Sequence, residues 1–174
     1  MTEVVVIRAA HEGDLPALVE LYNHYIRETP FTFDIDPYTV ESRRPWFDQF
    51  ADTGRHRLFV ATDQDEQVRG FASSQRFRPK AAYDTSVETS IYLSPESTGR
   101  GIGSQLYRTL FEALRREDVH RLYAGVTLPN PASIAFHERF GYKRLGVYRE
   151  VGRKFGCYWD VEWFEREFDG AGAG

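Results

Sequence analysis

One stretch in the middle of this chain constrains its fold more than any other. Residues 87–93, Val-Glu-Thr-Ser-Ile-Tyr-Leu, read as a strand, and residues 94–103 are rich in glycine and small polar side chains. A helix follows directly, with Ile102, Leu106, Leu110, Ala113 and Leu114 on one face. Backbone N–H groups are unpaired and converge where such a glycine turn opens a helix, and the helix dipole adds positive potential. Together they make a seat for phosphate oxygens. By spacing alone, the same stretch also reads as a plain turn that opens a helix.

Two nucleotide readings are weak. A P-loop needs a Gly-Lys-Ser/Thr ending, which is absent, and a dinucleotide fingerprint needs glycine where Leu106 stands.

The rest of the chain alternates in kind. Residues 4–10 predict a strand, and Asp14 reads as the N-cap of a helix carrying Leu15, Leu18, Tyr22, Tyr25 and Ile26. Residues 28–38, with Pro30 and Pro37, form an ordered loop, and residues 39–51 form a helix kinked or split at Pro45. Strands at 58–62 and 68–78 make a hairpin around a polar turn. A strand at 122–127 precedes a helix reaching Phe140, with Gly141 as its C′ residue. Residues 142–151 and 158–168 are the last strands. These elements predict an α/β fold with one mixed sheet and helices on both faces. Residues 1–168 form a single domain, and the Gly/Ala-rich residues 169–174 form a flexible tail.

Composition excludes several classes. The 174 residues suit one domain, and a net charge of -4 gives no basic footprint for nucleic acid. No apolar run is long enough to span a bilayer, and residues 1–8 carry no secretory signal pattern. The single cysteine, Cys157, cannot form an internal disulfide, which fits a reducing, cytoplasmic setting. It lies in an aromatic segment and reads as buried filler. There is no HExxH, no zinc-ligand spacing among the five histidines, and no Gly-x-Ser-x-Gly elbow, so no metal is expected.

Read together, the two halves resemble a known family. Thr98-Gly-Arg-Gly-Ile-Gly103 resembles the pyrophosphate loop of GNAT N-acetyltransferases, and Asn130-Pro-Ala-Ser-Ile-Ala-Phe-His-Glu-Arg-Phe-Gly-Tyr142 resembles their later Asn-plus-helix element. Over nearly the whole chain the likeness is to one branch, the phosphinothricin and methionine sulfoximine/sulfone acetyltransferases. Phe31-Thr-Phe-Asp34, the strand around Val87-Glu88, and Val151-Gly-Arg-Lys-Phe-Gly-Cys-Tyr-Trp-Asp-Val161 carry it. Two positions depart from the pattern: Thr98 replaces the usual Gln/Arg at the head of the loop, and Ser86 replaces a threonine.

The resemblance implies a GNAT-like, largely antiparallel sheet, acetyl-CoA as co-substrate, and a homodimer. It implies transfer of acetyl to the α-amine of a small amino-acid-like molecule. Glu88 matches the general base, His137 the proton donor to the departing thiolate, and Asn130 the tether of the pantetheine arm. Amides of Gly99, Arg100, Gly101, Ile102, Gly103 and Ser104 would hold the pyrophosphate, with backbone near Ile91 and Leu93 pairing the pantetheine.

Each of these residues has a blander reading. Glu88 could be a solvated strand residue, His137 a packed one, and Asn130 a turn residue beside two prolines. Tyr92 and Tyr107 are alternative donors that would serve equally as core. An α-carboxylate calls for a cation, and Arg76, Arg78 and Lys80 end the strand before Glu88, though they would also make a solvated basic edge. Phe31, Phe33 and Tyr92 would wall a substrate pocket. The competing functions are acetylation of a protein or peptide amine, and a non-catalytic acetyl-CoA-binding module.

Overall fold

The computed structural model describes residues 4–172. Seven strands form one sheet: β1 (Val6–Ala9), β2 (Arg57–Thr62), β3 (Val68–Arg76), β4 (Ser86–Leu93), β5 (Arg121–Thr127), β6 (Lys143–Lys154) and β7 (Cys157–Glu167). Their order is β1-β2-β3-β4-β5-β7-β6. Every neighbouring pair is antiparallel except β4 and β5. Among the described residues there are four α-helices: α1 (Leu15–Glu28), α2 (Val40–Phe47), α3 (Ile102–Leu114) and α4 (Pro131–Arg139).

Period-two alternation in the strands divides the core between the two faces. On β2, Leu58 and Val60 join Phe71 of β3 against Leu18, Tyr22 and Ile26 of α1. Phe59 and Ala61 point the other way, with Ala72 and Val87, against Ile102, Leu106, Leu110 and Leu114 of α3. Helices therefore cover both faces, as expected from the sequence.

Several local details differ from the expectation. Asp14 stands before α1, but its carboxylate makes no side-chain cap to that helix. It takes a bidentate bond from Arg8 at 2.7 and 2.8 Å, and the His11 N–H at 2.8 Å. Helix α2 runs through Pro45 and stops at Phe47. Pro45 lacks only one helical N–H, and Thr39 caps the start by accepting from Ser42 N at 3.1 Å. Strand β6 extends three residues beyond the expected 151, to Lys154. It bends at a register shift between Tyr148 and Gly152, then turns through Phe155 and Gly156, both at positive φ. Cys157 follows that turn and is exposed, which corrects its reading as buried filler. The tail expected to be loose from 169 is tied as far as Gly170, whose N–H donates to the Val119 carbonyl at 3.1 Å. Residues 173–174 of that tail lie outside the described residues.

Candidate active site

The site begins where the sheet comes apart. Strands β4 and β5 pair only from Ser86↔Arg121 to Glu88↔Tyr123. Beyond Glu88 both strands continue, β4 on β3 and β5 on β7, but not on each other. The divergence leaves facing backbone edges without a ladder partner, a slot suited to an extended, amide-bearing ligand. Tyr25 already takes one of these groups, donating its hydroxyl to the Leu93 carbonyl at 2.6 Å.

Two cavities meet at this divergence. The larger, about 480 Å³, is walled by Phe31, Phe33, Asp34 and Tyr38 from the loop after α1, Arg43 and Trp46 from α2, Glu88, Ser90 and Tyr92 from β4, and Trp163 from β7. The smaller, about 70 Å³, reaches between the parted strands to Asn130, Ser133 and His137. Phe31, Ser90, Tyr92, Gly125 and Thr127 line both. Gly125 keeps the junction open, since a Cβ there would press on the Trp163 ring at 3.3 Å.

Glu88, Ser90 and Tyr92 share one face of β4 by alternation, while Val87 and Thr89 are buried on the other. Burial raises the Glu88 carboxyl above its ordinary pKa, and the nearby Arg78 guanidinium opposes that rise. Tyr92 packs edge-on to Tyr22 and Tyr25, with ring centroids 5.2 and 4.9 Å away. Burial also raises its phenol pKa, so it stays protonated. The Tyr92 hydroxyl makes no hydrogen bond among the described residues.

The turn before α3 has the geometry of an anion seat. Gly99 and Gly101 adopt φ of 74° and 80°, and Gly101 starts the helix with no side-chain cap. The first helical N–H groups lack intrahelical acceptors and are left for a ligand or water. A Cβ on Gly99 or Gly101 would meet nothing within 4 Å, so both are glycine for backbone conformation, not crowding. Gly103 is different: a Cβ there would press at 3.3 Å on Ile91 and on Phe136. Ile102 is fully buried, so only its backbone can take part. Arg100 and Ser104 flank the same turn, Arg100 exposed and Ser104 half-buried.

Other expected residues divide. Asn130 caps α4, its Oδ1 accepting from Ser133 N at 3.2 Å, and also lines the smaller cavity. His137 reaches the smaller cavity, yet both ring nitrogens are engaged. Nδ1 lies 2.8 Å from the Ser133 carbonyl, which can only accept, so Nδ1 carries the proton. Nε2 lies 3.1 Å from the Tyr107 hydroxyl. Burial lowers the pKa of this histidine, against the Ser133 hydrogen bond. The expected proton donor near neutral pH is thus a neutral imidazole with no free N–H. Tyr107 is itself fully buried core.

None of the basic trio lines the large cavity. Arg76 turns to Asp84 at 3.8 Å, and Lys80 is exposed ahead of a short 3-10 turn. Arg78 lies over the Phe77 ring at 4.3 Å and near Trp163 at 5.8 Å, close enough to act on Glu88. The cation lining the large cavity is Arg43, which the sequence reading missed. Its only sequence signal is Trp46 one helical turn later, with Tyr38 just ahead.

Comparison with known proteins fits this arrangement. Residues 7–163 match the acetyltransferase (GNAT) domain family. The chain belongs to the GNAT acetyltransferases. Among curated relatives of this GNAT chain, a phosphinothricin N-acetyltransferase of Streptomyces coelicolor is 55% identical, over 95% of this chain and 97% of that one. An L-methionine sulfoximine/L-methionine sulfone acetyltransferase of Pseudomonas aeruginosa is 33% identical, over 94% of each. A solved GNAT phosphinothricin acetyltransferase from Sinorhizobium meliloti, in complex with AcCoA, superposes with a TM-score of 0.88 at 29% identity. It covers all of this chain and 93% of that one. The sheet and helices described above are thus the GNAT fold, and the chain is an N-acetyltransferase.

Proposed function

We propose that this enzyme transfers acetyl from acetyl-CoA to the α-amine of a small L-amino acid of the phosphinothricin, methionine sulfoximine or methionine sulfone type. The observation that carries this reading is the position of Glu88. It is a desolvated carboxylate at the last paired residue before β4 leaves β5, on the wall of a cavity that joins the slot between those strands.

The thioester arm fits the slot, with the pyrophosphate on the amides of residues 99–104 and the pantetheine along β4 near Ile91, reaching Asn130. The Leu93 carbonyl already accepts from Tyr25 and keeps its second lone pair for the arm. Burial tunes Glu88 toward the working pH, so it accepts the proton of the arriving ammonium directly or through water. Tyr92, protonated and without a partner where the two cavities meet, hydrogen-bonds the departing sulfur. His137 supports this wall as a neutral ring fixed between Ser133 and Tyr107. Of the basic trio, Arg78, which packs near Trp163 and acts on Glu88 from beside the large cavity, takes the substrate carboxylate. Phe31 and Phe33 close the cavity over the side chain.

The enzyme works in the cytoplasm as a homodimer. Support for the dimer is the exposed apolar row Leu145, Tyr148, Val151, Phe155 and Tyr158 on β6 and its hairpin. Support for the compartment is the single free cysteine.

Release of free CoA, measured with a panel of amines, tests the substrate class. Phosphinothricin, methionine sulfoximine and methionine sulfone should give higher kcat/KM than peptides or polyamines. Faster turnover of a polyamine or an N-terminal peptide would overturn the reading.

A further inference from the structure

Arg43 is held in an unusual setting. Its guanidinium carbon stands 4.4 Å from the centre of the Tyr22 ring, 4.5 Å from Tyr38 and 4.1 Å from Trp46. Each wall of this cage is fixed independently. Tyr22 donates to Asp34 at 2.7 Å, Trp46 donates to Gln75 at 3.1 Å, and Asn23 holds the Tyr38 backbone through two bonds of 2.8 Å. The side chain is only 9% exposed, yet its guanidinium makes no hydrogen bond or ion pair among the described residues.

The rings hold the charge in place and leave the donors for something else. Five N–H donors in a rigid fork have no protein partner among the described residues and open onto the cavity. Other arginines of the chain find carboxylates: Arg8 has Asp14, Arg55 has Asp118 and Arg44 has Glu12. What Arg43 faces instead is the large cavity. A planar fork held rigidly at a cavity wall suits a ligand group bearing two or more oxygens.

We propose that Arg43 is a specificity-determining residue that donates to the oxygens on the side-chain end of the substrate. This rests on the amino-acid reading above and names what it leaves open. Glu88 lies on β4 and Arg78 beside β7, whereas the cage belongs to α1, α2 and the loop between them. An amino acid with its amine at Glu88 and its carboxylate toward Arg78 therefore extends its side chain toward Arg43. A phosphinate, sulfone or sulfoximine centre presents the oxygens that the fork requires. A plain thioether or alkyl chain presents none and leaves the guanidinium unsatisfied.

The test compares methionine sulfone with methionine, which share the amine, the carboxylate and the chain length and differ in the sulfur oxygens. In the wild type, kcat/KM should favour the sulfone. In Arg43→Met, KM for the sulfone should rise roughly 10- to 100-fold, the worth of charge-assisted hydrogen bonds, with kcat changed far less. Methionine should lose nothing, since it offers the fork no acceptor, and KM for acetyl-CoA should hardly move, so the preference collapses. Arg43→Lys keeps the charge among the rings and loses the fork. It should show a smaller loss of preference, and it decides the matter if the Met variant does not fold. An unchanged preference, or an equal loss for both substrates, would overturn the role of Arg43 and leave the proposed function standing. A wild type that acetylates peptides or polyamines better than either amino acid would overturn both.

Discussion

The buried ammonium of Lys154 donates to the Thr32 carbonyl at 2.8 Å, tying the turn of the last hairpin to the loop after α1. The same turn presents Gly152 to the Phe33 ring so closely that any side chain there would collide with it. The loop carrying Phe31 and Phe33 is therefore held at the wall of the large cavity by residues far away in sequence.

Replacing Lys154 by Met should release that loop. It removes a charged donor from a buried carbonyl, and stability should fall by about 2 kcal/mol in a denaturant titration. KM for the amino-acid substrate should rise more than kcat falls, because closure and not chemistry is affected. Wild-type stability and KM together would show that the loop holds itself.

Gly101→Val tests the anion seat. The added side chain meets no protein atom within 4 Å but must adopt a φ near 80° that valine resists. Its methyl groups would stand where the pyrophosphate is expected. Calorimetry should show acetyl-CoA binding weakened by roughly 10- to 100-fold, as expected for lost charge-assisted bonds, with the circular dichroism spectrum retained. Unchanged affinity would reject residues 99–104 as the seat.

Which of these features the sequence reveals depends on whether one element or several create them. The alternation in 58–61 and the helical spacing from Ile102 to Leu114 are each local, so they predict the two-faced sheet correctly. Arg43 and Arg44 show the limit. They are adjacent and chemically identical, yet about 100° of helical rotation separates them. One stands among three rings in the cavity, while the other pairs with Glu12 at 2.8 Å on the surface. No local pattern distinguishes them, because the cage is assembled from α1, α2 and their loop. His137 shows the same limit. Its neutrality follows from burial beside Tyr107 on α3, thirty residues earlier. Arg76 and Lys80 follow the opposite course, since a basic run looks purposeful until the chain turns away after β3.

The Arg78 charge should be visible in the pH profile. Burial raises the Glu88 carboxyl and Arg78 restrains the rise, so removing the cation lets it rise further. A base must be deprotonated to work, and activity falls as pH drops through its pKa. In Arg78→Met the acidic limb of the kcat profile should therefore move to higher pH. A limb that stays in place would mean that it does not report Glu88.

Glu88→Gln is the decisive variant for the chemistry. Glutamine keeps the shape and the burial and removes the proton acceptor. The α-ammonium of an amino acid has no lone pair, and at neutral pH most of the substrate arrives in that form. Without the carboxylate only the small neutral fraction can attack, so kcat should fall by roughly 10²–10⁴-fold, the usual worth of a general base. Acetyl-CoA affinity should change little, because Glu88 lines the large cavity and not the turn before α3. The defect should shrink as pH rises, since more of the amine is then neutral without help. A variant with wild-type kcat at neutral pH would exclude Glu88 as the base. Deprotonation would then fall to water in the cavity, which the Ser90 and Tyr92 hydroxyls also line.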